Sequence, residues 1–331
     1  MTRRPSWTPP LKRLAAALAL SGMAFAAYPA AAQDAYPEQG RPIQVIVAAS
    51  AGSGMDVTAR LATEVLGAEL EGANFQIINR PGAGTQVGIQ AIADAPADGY
   101  TFGVISLPTA VTIPLDPERQ AQFDRDSFEP VANFVYDPGA IAVGADGPYQ
   151  TLEDLVEAAK AGNVTVGVTG PRGREHLDVT ALAQAAEVTF TPVFHNDSGL
   201  ALNSLLGGNI DAVQGSVADF LSQVQAGRVR LLAVFDREPS SFAPDVPTAE
   251  SQGYPIFSGV TRGFAFPAGT PPEAVEAVSA ALATAAESPE QQQKVKDMGL
   301  ELRFMDAEEF GAYWDSEVTR ITELMATIPA Q

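Results

Sequence analysis

Two glycine-rich loops in the first third of the chain hold the residues best suited to chemistry. The first, Ala48-Ala49-Ser50-Ala51-Gly52-Ser53-Gly54-Met55-Asp56, runs straight into a helical pattern. So does the second, Asn79-Arg80-Pro81-Gly82-Ala83-Gly84-Thr85-Gln86-Val87-Gly88. Glycine lets backbone approach a ligand closely, and the open N–H groups of a helix's first turn attract negative charge. Two such loops after adjacent parallel strands can build one anion-holding floor. The plainer alternative is a pair of tight strand-to-helix turns. A third loop, Thr169-Gly170-Pro171-Arg172-Gly173-Arg174-Glu175-His176, brings two arginines whose planar forks suit bidentate carboxylate recognition. Two solvated arginines, paired with Glu175, would be the bland version of that loop. Asn196, Asp197 and Ser198 offer further donors and acceptors at the end of a later strand.

Other chemistries find little support. Gly82-x-Gly84 followed by Gly88 is not G-x-G-x-x-G, because Val87 takes the third glycine's place, and no Walker-type loop is present. No cofactor is therefore expected. The only histidines, His176 and His195, form no H-x-x-x-H pair, and the chain has no Cys, so no metal site is expected. G-x-S-x-G is absent and the acids are scattered, so no residue reads as catalytic. An exported hydrolase built by distant Ser–His–acid pairing stays as the remote alternative to a non-enzymatic binding protein.

The N-terminus sets the compartment. Arg3, Arg4, Lys12 and Arg13 precede an apolar run over residues 14–27, and Ala30-Ala31-Ala32 closes it. A run of 14 residues is too short to span a bilayer, which needs about 20. Basic start, short apolar middle and A-x-A exit describe a signal peptide over residues 1–32, cut after Ala32, and hence a periplasmic protein. The leader takes four of 20 Lys+Arg and no acid, leaving 16 bases against 40 Asp+Glu, a net charge of −24. Nucleic acid and anionic lipid are disfavoured as partners. An anionic ligand must then be held by local donors against the global field.

The elements that position these loops alternate between short β-like runs and helical patterns. Strands are predicted over Pro42–Val47, 75–78 and 101–105, with a helix over 56–70 that Asp56 would cap. A second set follows: strands at 141–143, 164–168, 189–194 and 230–235, with helices opened by Thr151-Leu152-Glu153-Asp154 and over 200–206 and Val217–Gln225. Residues 236–247 read as a passage between lobes. The tail from Pro271 reads as almost wholly helical, with Asp306 capping its last helix. This rhythm implies α/β lobes with parallel sheets covered by helices.

Across the mature chain these loops and motifs resemble the Bug-type (TctC-like) extracytoplasmic solute receptors of tripartite tricarboxylate transporters. The resemblance rests on Arg41-Pro42-Ile43 with the loop after it, Asn79-Arg80-Pro81-Gly82-Ala83-Gly84, Ala97-Asp98-Gly99-Tyr100-Thr101 and Leu205-Leu206-Gly207-Gly208-Asn209-Ile210-Asp211-Ala212. It continues through Gly227-Arg228-Val229-Arg230, Pro244-Asp245-Val246-Pro247-Thr248 and Phe266-Pro267-Ala268-Gly269-Thr270-Pro271. Each piece is weak alone; their order and spacing are specific.

The resemblance implies a two-lobed periplasmic binding protein of the type II, Venus-flytrap kind, with parallel or mixed sheets flanked by helices. Lobe 1 would be residues 36–134 completed by 238–331, and lobe 2 residues 135–237. It implies a monomer that closes on a small carboxylate (a di- or tricarboxylate or an aromatic acid) and hands it to membrane permease subunits. Presentation to a sensor kinase is the alternative. By motif position Ser50, Gly52, Ser53, Asp56, Gly84, Thr85, Gln86, Ser106 and Thr109 would line lobe 1. Arg172, Gly173, Arg174, Asn196, Asp197 and Ser198 would close from lobe 2. The chain departs from the family at Thr85, where a glycine is usual, and at Arg172 and Arg174, which replace a small Ser-containing loop. The resemblance thus suggests that one of these arginines reads a second anionic group.

Overall fold

The computed structural model describes residues 1–2, 36–297 and 300–328. The cut after Ala32 and nearly all of the expected leader lie outside the described residues.

The chain opens with β1 (Pro42–Val47), α1 (Gly54–Glu69), β2 (Asn74–Asn79), α2 (Gln86–Ala93) and β3 (Thr101–Leu107). Strand β1 pairs in parallel with β2 and β3, so both glycine loops leave the same edge of one sheet. Helix α1 buries Leu61, Ala62, Val65 and Leu66, the i, i+1, i+4, i+5 set that one face of a 3.6-residue helix presents. Ser53, not Asp56, caps it, accepting the Asp56 N–H on its hydroxyl. The short α3 (Thr109–Leu115) follows, then β4 (Phe128–Gly144).

Strand β4 is 17 residues long and organises the molecule. Next come α4 (Leu152–Ala161), β5 (Val164–Thr169), α5 (Arg174–Ala186), β6 (Phe190–His195) and α6 (Ser198–Leu206). They lead to β7 (Ala212–Ser216), α7 (Val217–Gln225) and β8 (Val229–Val234). The chain returns through β9 (Gly259–Pro267), α8 (Pro272–Glu287), α9 (Pro289–Asp297), β10 (Glu301–Met305) and α10 (Ala307–Thr327). From Phe128 to Pro138, β4 pairs antiparallel with β9, and its middle also pairs with β10. From Gly139 onward its partners are β7 and β8. One sheet therefore runs β2-β1-β3-β9-β4-β10, the other β8-β4-β7-β5-β6, with β4 common to both. Both are mixed and both are flanked by helices.

The first sheet covers a core around Phe102, Phe134, Phe264, Phe310 and Trp314. The second separates two smaller cores, one around Leu182 and Phe235, the other around Val213 and Phe220. The expectation of an almost wholly helical tail is corrected by β10, which the antiparallel ladder to β4 holds extended. The strand expected at 141–143 is only the end of β4. Pro130 and Pro138 punctuate β4 in sequence, yet the ladder absorbs Pro130 at a register shift instead of breaking.

Candidate functional site

Where the loops after β3 and β5 face each other lies a cleft of about 360 Å³. Gly84, Thr109, Thr112, Asp116, Arg119 and Val260 line one wall. Thr169, Arg172, Gly173, Arg174 and Glu175 line the other. Of the residues expected at a binding site, the cleft brings together Gly84, Thr109, Arg172, Gly173 and Arg174. The remaining ones are not in this lining, and most have identifiable work nearby.

Asp56 shapes the first loop. Its carboxylate accepts the Gly52 N–H at 2.8 Å, Arg60 Nε at 2.9 Å and Nη2 at 3.1 Å, and Asn79 Nδ2 at 3.0 Å. The loop after β1 is thereby tied to the end of β2. Ser50 lends its carbonyl to the Ser53 N–H, and Gly52 takes φ +81° to let the chain turn. The hydrogen bond from Arg60, joined by those from Gly52 and Asn79, holds the Asp56 carboxyl at about 2, below its ordinary 3.8. Asp137, on β4, moves the other way: burial lifts it to about 6. A depressed acid stabilises the fold above its unfolded pKa and loses that stability as pH falls through the folded one; a raised acid does the reverse. Burial lifts Asp178 to about 6 as well. Thermal stability is therefore expected to fall as pH rises from about 4 to 6 through Asp137 and Asp178, and to fall also as pH drops below about 4 through Asp56. A midpoint scan on wild type and Asp56→Asn checks this, since the variant should lack the acid limb attributed to Asp56.

Thr85 begins α2 in a left-handed conformation (φ +77°), and its hydroxyl is buried without a partner. Both features cost energy that glycine would not incur. Thr85→Gly is expected to stabilise the protein by about 1 kcal/mol, read by urea denaturation. Gln86 and Arg119 clasp each other: Arg119 Nε donates to Gln86 Oε1 at 3.1 Å, and Gln86 Nε2 donates to the Arg119 carbonyl at 3.0 Å. Arg119 Nη2 also donates to the Ala83 carbonyl. Arg119 was invisible to motif reading, since Pro117-Glu118-Arg119 matches no pattern, yet it is the cation of the first wall. Ser106 is buried on β3, opposite Arg262.

The second wall is built on α5. Gly173 caps it, and a Cβ there would stand 2.6 Å from the Thr169 carbonyl oxygen, so glycine alone fits. Arg172 sits at φ +59°, and its N–H donates to His176 Nδ1 at 3.0 Å. Arg174 is buried and heavily engaged. Its Nη2 donates to Glu175 Oε1 at 2.8 Å and Ser216 Oγ at 3.2 Å, and its Nη1 to Asp178 Oδ2 at 3.0 Å. Burial works against this cation, but Glu175 and Asp178 outweigh it and raise its pKa. Its donors are largely spent inside the protein. Asp197 caps α6 through the Leu200 N–H at 2.8 Å, and Ser198 donates to Asp219 at 3.3 Å. Both serve helix starts, and Asn196 leads into them. The cleft lining thus holds three arginines against the carboxylates of Asp116 and Glu175, in a chain of net charge −20.

No helix among the described residues is long and apolar enough to cross a membrane. A sequence profile for the tripartite tricarboxylate transporter family receptors (TctC) matches residues 58–329. A UPF0065 protein of Bordetella bronchiseptica is 33% identical over 249 residues, 75% of this chain and 73% of that one. Protein BugT of Bordetella pertussis is 32% identical over 230 residues, 68% of this chain and 69% of its own length. The crystal structure of a TctC solute-binding protein from Polaromonas superposes with a TM-score of 0.81 at 29% identity, covering 88% of this chain and all of that one. Members of this family are periplasmic solute-binding receptors rather than enzymes, and the mixed sheets flanked by helices seen here match their fold. The chain belongs to the TctC family of tripartite tricarboxylate transporter receptors.

Proposed function

We propose that the protein captures a small carboxylate in the cleft between the loops after β3 and β5, closes over it, and delivers it to the permease of a tripartite tricarboxylate transporter. The observation that carries this reading is the local cationic excess, Arg119, Arg172 and Arg174, in a strongly acidic chain. A cleft of about 360 Å³ suits a small molecule. The closing halves are residues 36–134 with 238–331, and 135–237. Their proposed hinge is the point where β4 changes partners, at Pro138 and Gly139, together with the return segment before β9. Differential affinity for the open and closed forms supplies the signal that a permease reads. Export by a leader cut after Ala32 completes the reading and places a monomer in the periplasm.

A thermal-shift screen against acetate, succinate, citrate and benzoate tests the ligand class. An acid at about 100 times its Kd stabilises the protein by ~2.7 kcal/mol. At least one acid should raise the midpoint by several degrees; a flat response to all would defeat the carboxylate reading.

A further inference from the structure

Two arginines stand at or beside the cleft, Arg174 buried in its lining and Arg262 half-buried just outside that lining, and they differ in one respect. Arg174 has carboxylates in direct contact. Arg262, on β9, has none: its Nη1 is buried without a hydrogen-bond partner, and Asp137 and Asp219 act on it only at longer range. Burial, its largest influence, lowers its proton affinity in spite of those two acids, and Asp137 is itself lifted to about 6 by burial. An inaccessible guanidinium N–H without an acceptor is costly, and such groups are ordinarily paired. The unpaired one therefore calls for a partner from outside the chain.

Its position supplies the place. Val260 lines the cleft, and Arg262, two residues along the same strand, lies on the same face. A Cβ on Gly54 would sit 3.2 Å from Arg262 Nε, Cζ and Nη2, so the guanidinium rests close against the first residue of α1. Ser53 satisfies the Asp56 N–H of that turn. The first N–H groups of a helix have no acceptor within it and favour negative charge. On the far side stand Arg174, Asp137 and the start of α7, where the Ala218 N–H donates to Asp137 at 3.4 Å.

We infer that Arg262 reads a carboxylate of the ligand from beside the cleft, holding it between its guanidinium and the first turn of α1. This rests on the proposal that the cleft takes a carboxylate, and it names a residue that recognises the acid. Arg262 is then a specificity residue whose unpaired charge is tolerated in the free protein and compensated in the complex. A merely structural arginine, serving as counter-ion to Asp137 and Asp219, would behave oppositely when removed.

The test uses the full mature chain with Arg262→Met and Arg262→Gln, read by the unfolding midpoint without ligand and by calorimetric titration with succinate and citrate. Arg262→Met should keep or raise the ligand-free midpoint and weaken the acid that binds wild type by at least about ten-fold. A lowered ligand-free midpoint in both variants would make Arg262 a structural counter-ion and overturn the inference. So would affinity within about two-fold of wild type in a folded variant. If wild type itself binds neither acid nor any other in the screen, the carboxylate reading of the cleft fails and takes this inference with it. If wild type binds and the variants bind equally, only the role of Arg262 fails.

Discussion

Arg174→Met is expected to cost about 3–5 kcal/mol of folding stability, the range for removing one partner of a buried ion pair. The guanidinium is 7% exposed, and its partners Glu175 and Asp178 are 13% and 1% exposed. Without it two carboxylates remain in a poorly hydrated site, and Ser216 and Gln214 cannot neutralise them. Gln214 Nε2 donates to Asp178 Oδ2 at 2.6 Å, so the disturbance passes from α5 to β7. Adding Asp178→Leu to Arg174→Met should recover part of the loss, because an apolar pair removes the orphaned charge. Urea denaturation of the single and double variants measures both steps. A single-variant loss under about 1 kcal/mol would mean that water reaches the pair and that α5 is not anchored by it.

Gly88→Ala is expected to be nearly as severe. A Cβ at Gly88 would stand 2.4 Å from the Ala48 Cα and 2.8 Å from the Arg80 carbonyl oxygen, both of them backbone atoms that cannot rotate away. Helix α2 must then lift off the exit of β1. The stability loss should reach about 3 kcal/mol, the upper end for overpacking, because no side chain is free to yield. Because α2 begins just after Gly84 and carries Gln86, which clasps Arg119, the first wall of the cleft should move with it. Ligand affinity should fall along with the denaturation midpoint. Unchanged stability would show that the close approach of α2 to β1 is not a constraint.

Much of this architecture was legible in the residues. The strand over Pro42–Val47 and the helix over Val217–Gln225 agree with the sequence to the residue, the capping box at Thr151 opens α4, and Asp306 caps α10, where Glu309 completes a box as well. These are short-range signals, carried by side chains bonding to their own turn. Strand β9 was not legible. Thr261-Arg262-Gly263 interrupts its apolar run with a cation and a glycine, and only pairing between β3 and β4 makes it a central strand. Strand β4 hid behind its prolines for the same reason.

The site divides along that line too. Gly84 and the Arg172–Arg174 loop stand out because glycines and paired cations punctuate a chain visibly, Thr109 follows from the family resemblance alone, and the cleft gathers them all. Asp56 stood out as well, but its carboxylate is consumed in shaping the loop rather than facing the cleft. Arg119 and Arg262 are lone cations in unremarkable stretches. Tertiary placement alone gives them their importance: one is clasped by Gln86 against the glycine loop, the other lies against Gly54.

The central claim, carboxylate capture between these two walls, is tested most directly by calorimetric titration of the acid that shifts wild type furthest. The same titration is run on Arg119→Met and Arg172→Met, each first shown to be folded. Each arginine lines the cleft, so each loss should weaken binding by about ten-fold or more, the size of one charge-assisted hydrogen bond. Affinities equal to wild type in both variants would place the ligand elsewhere and contradict the account.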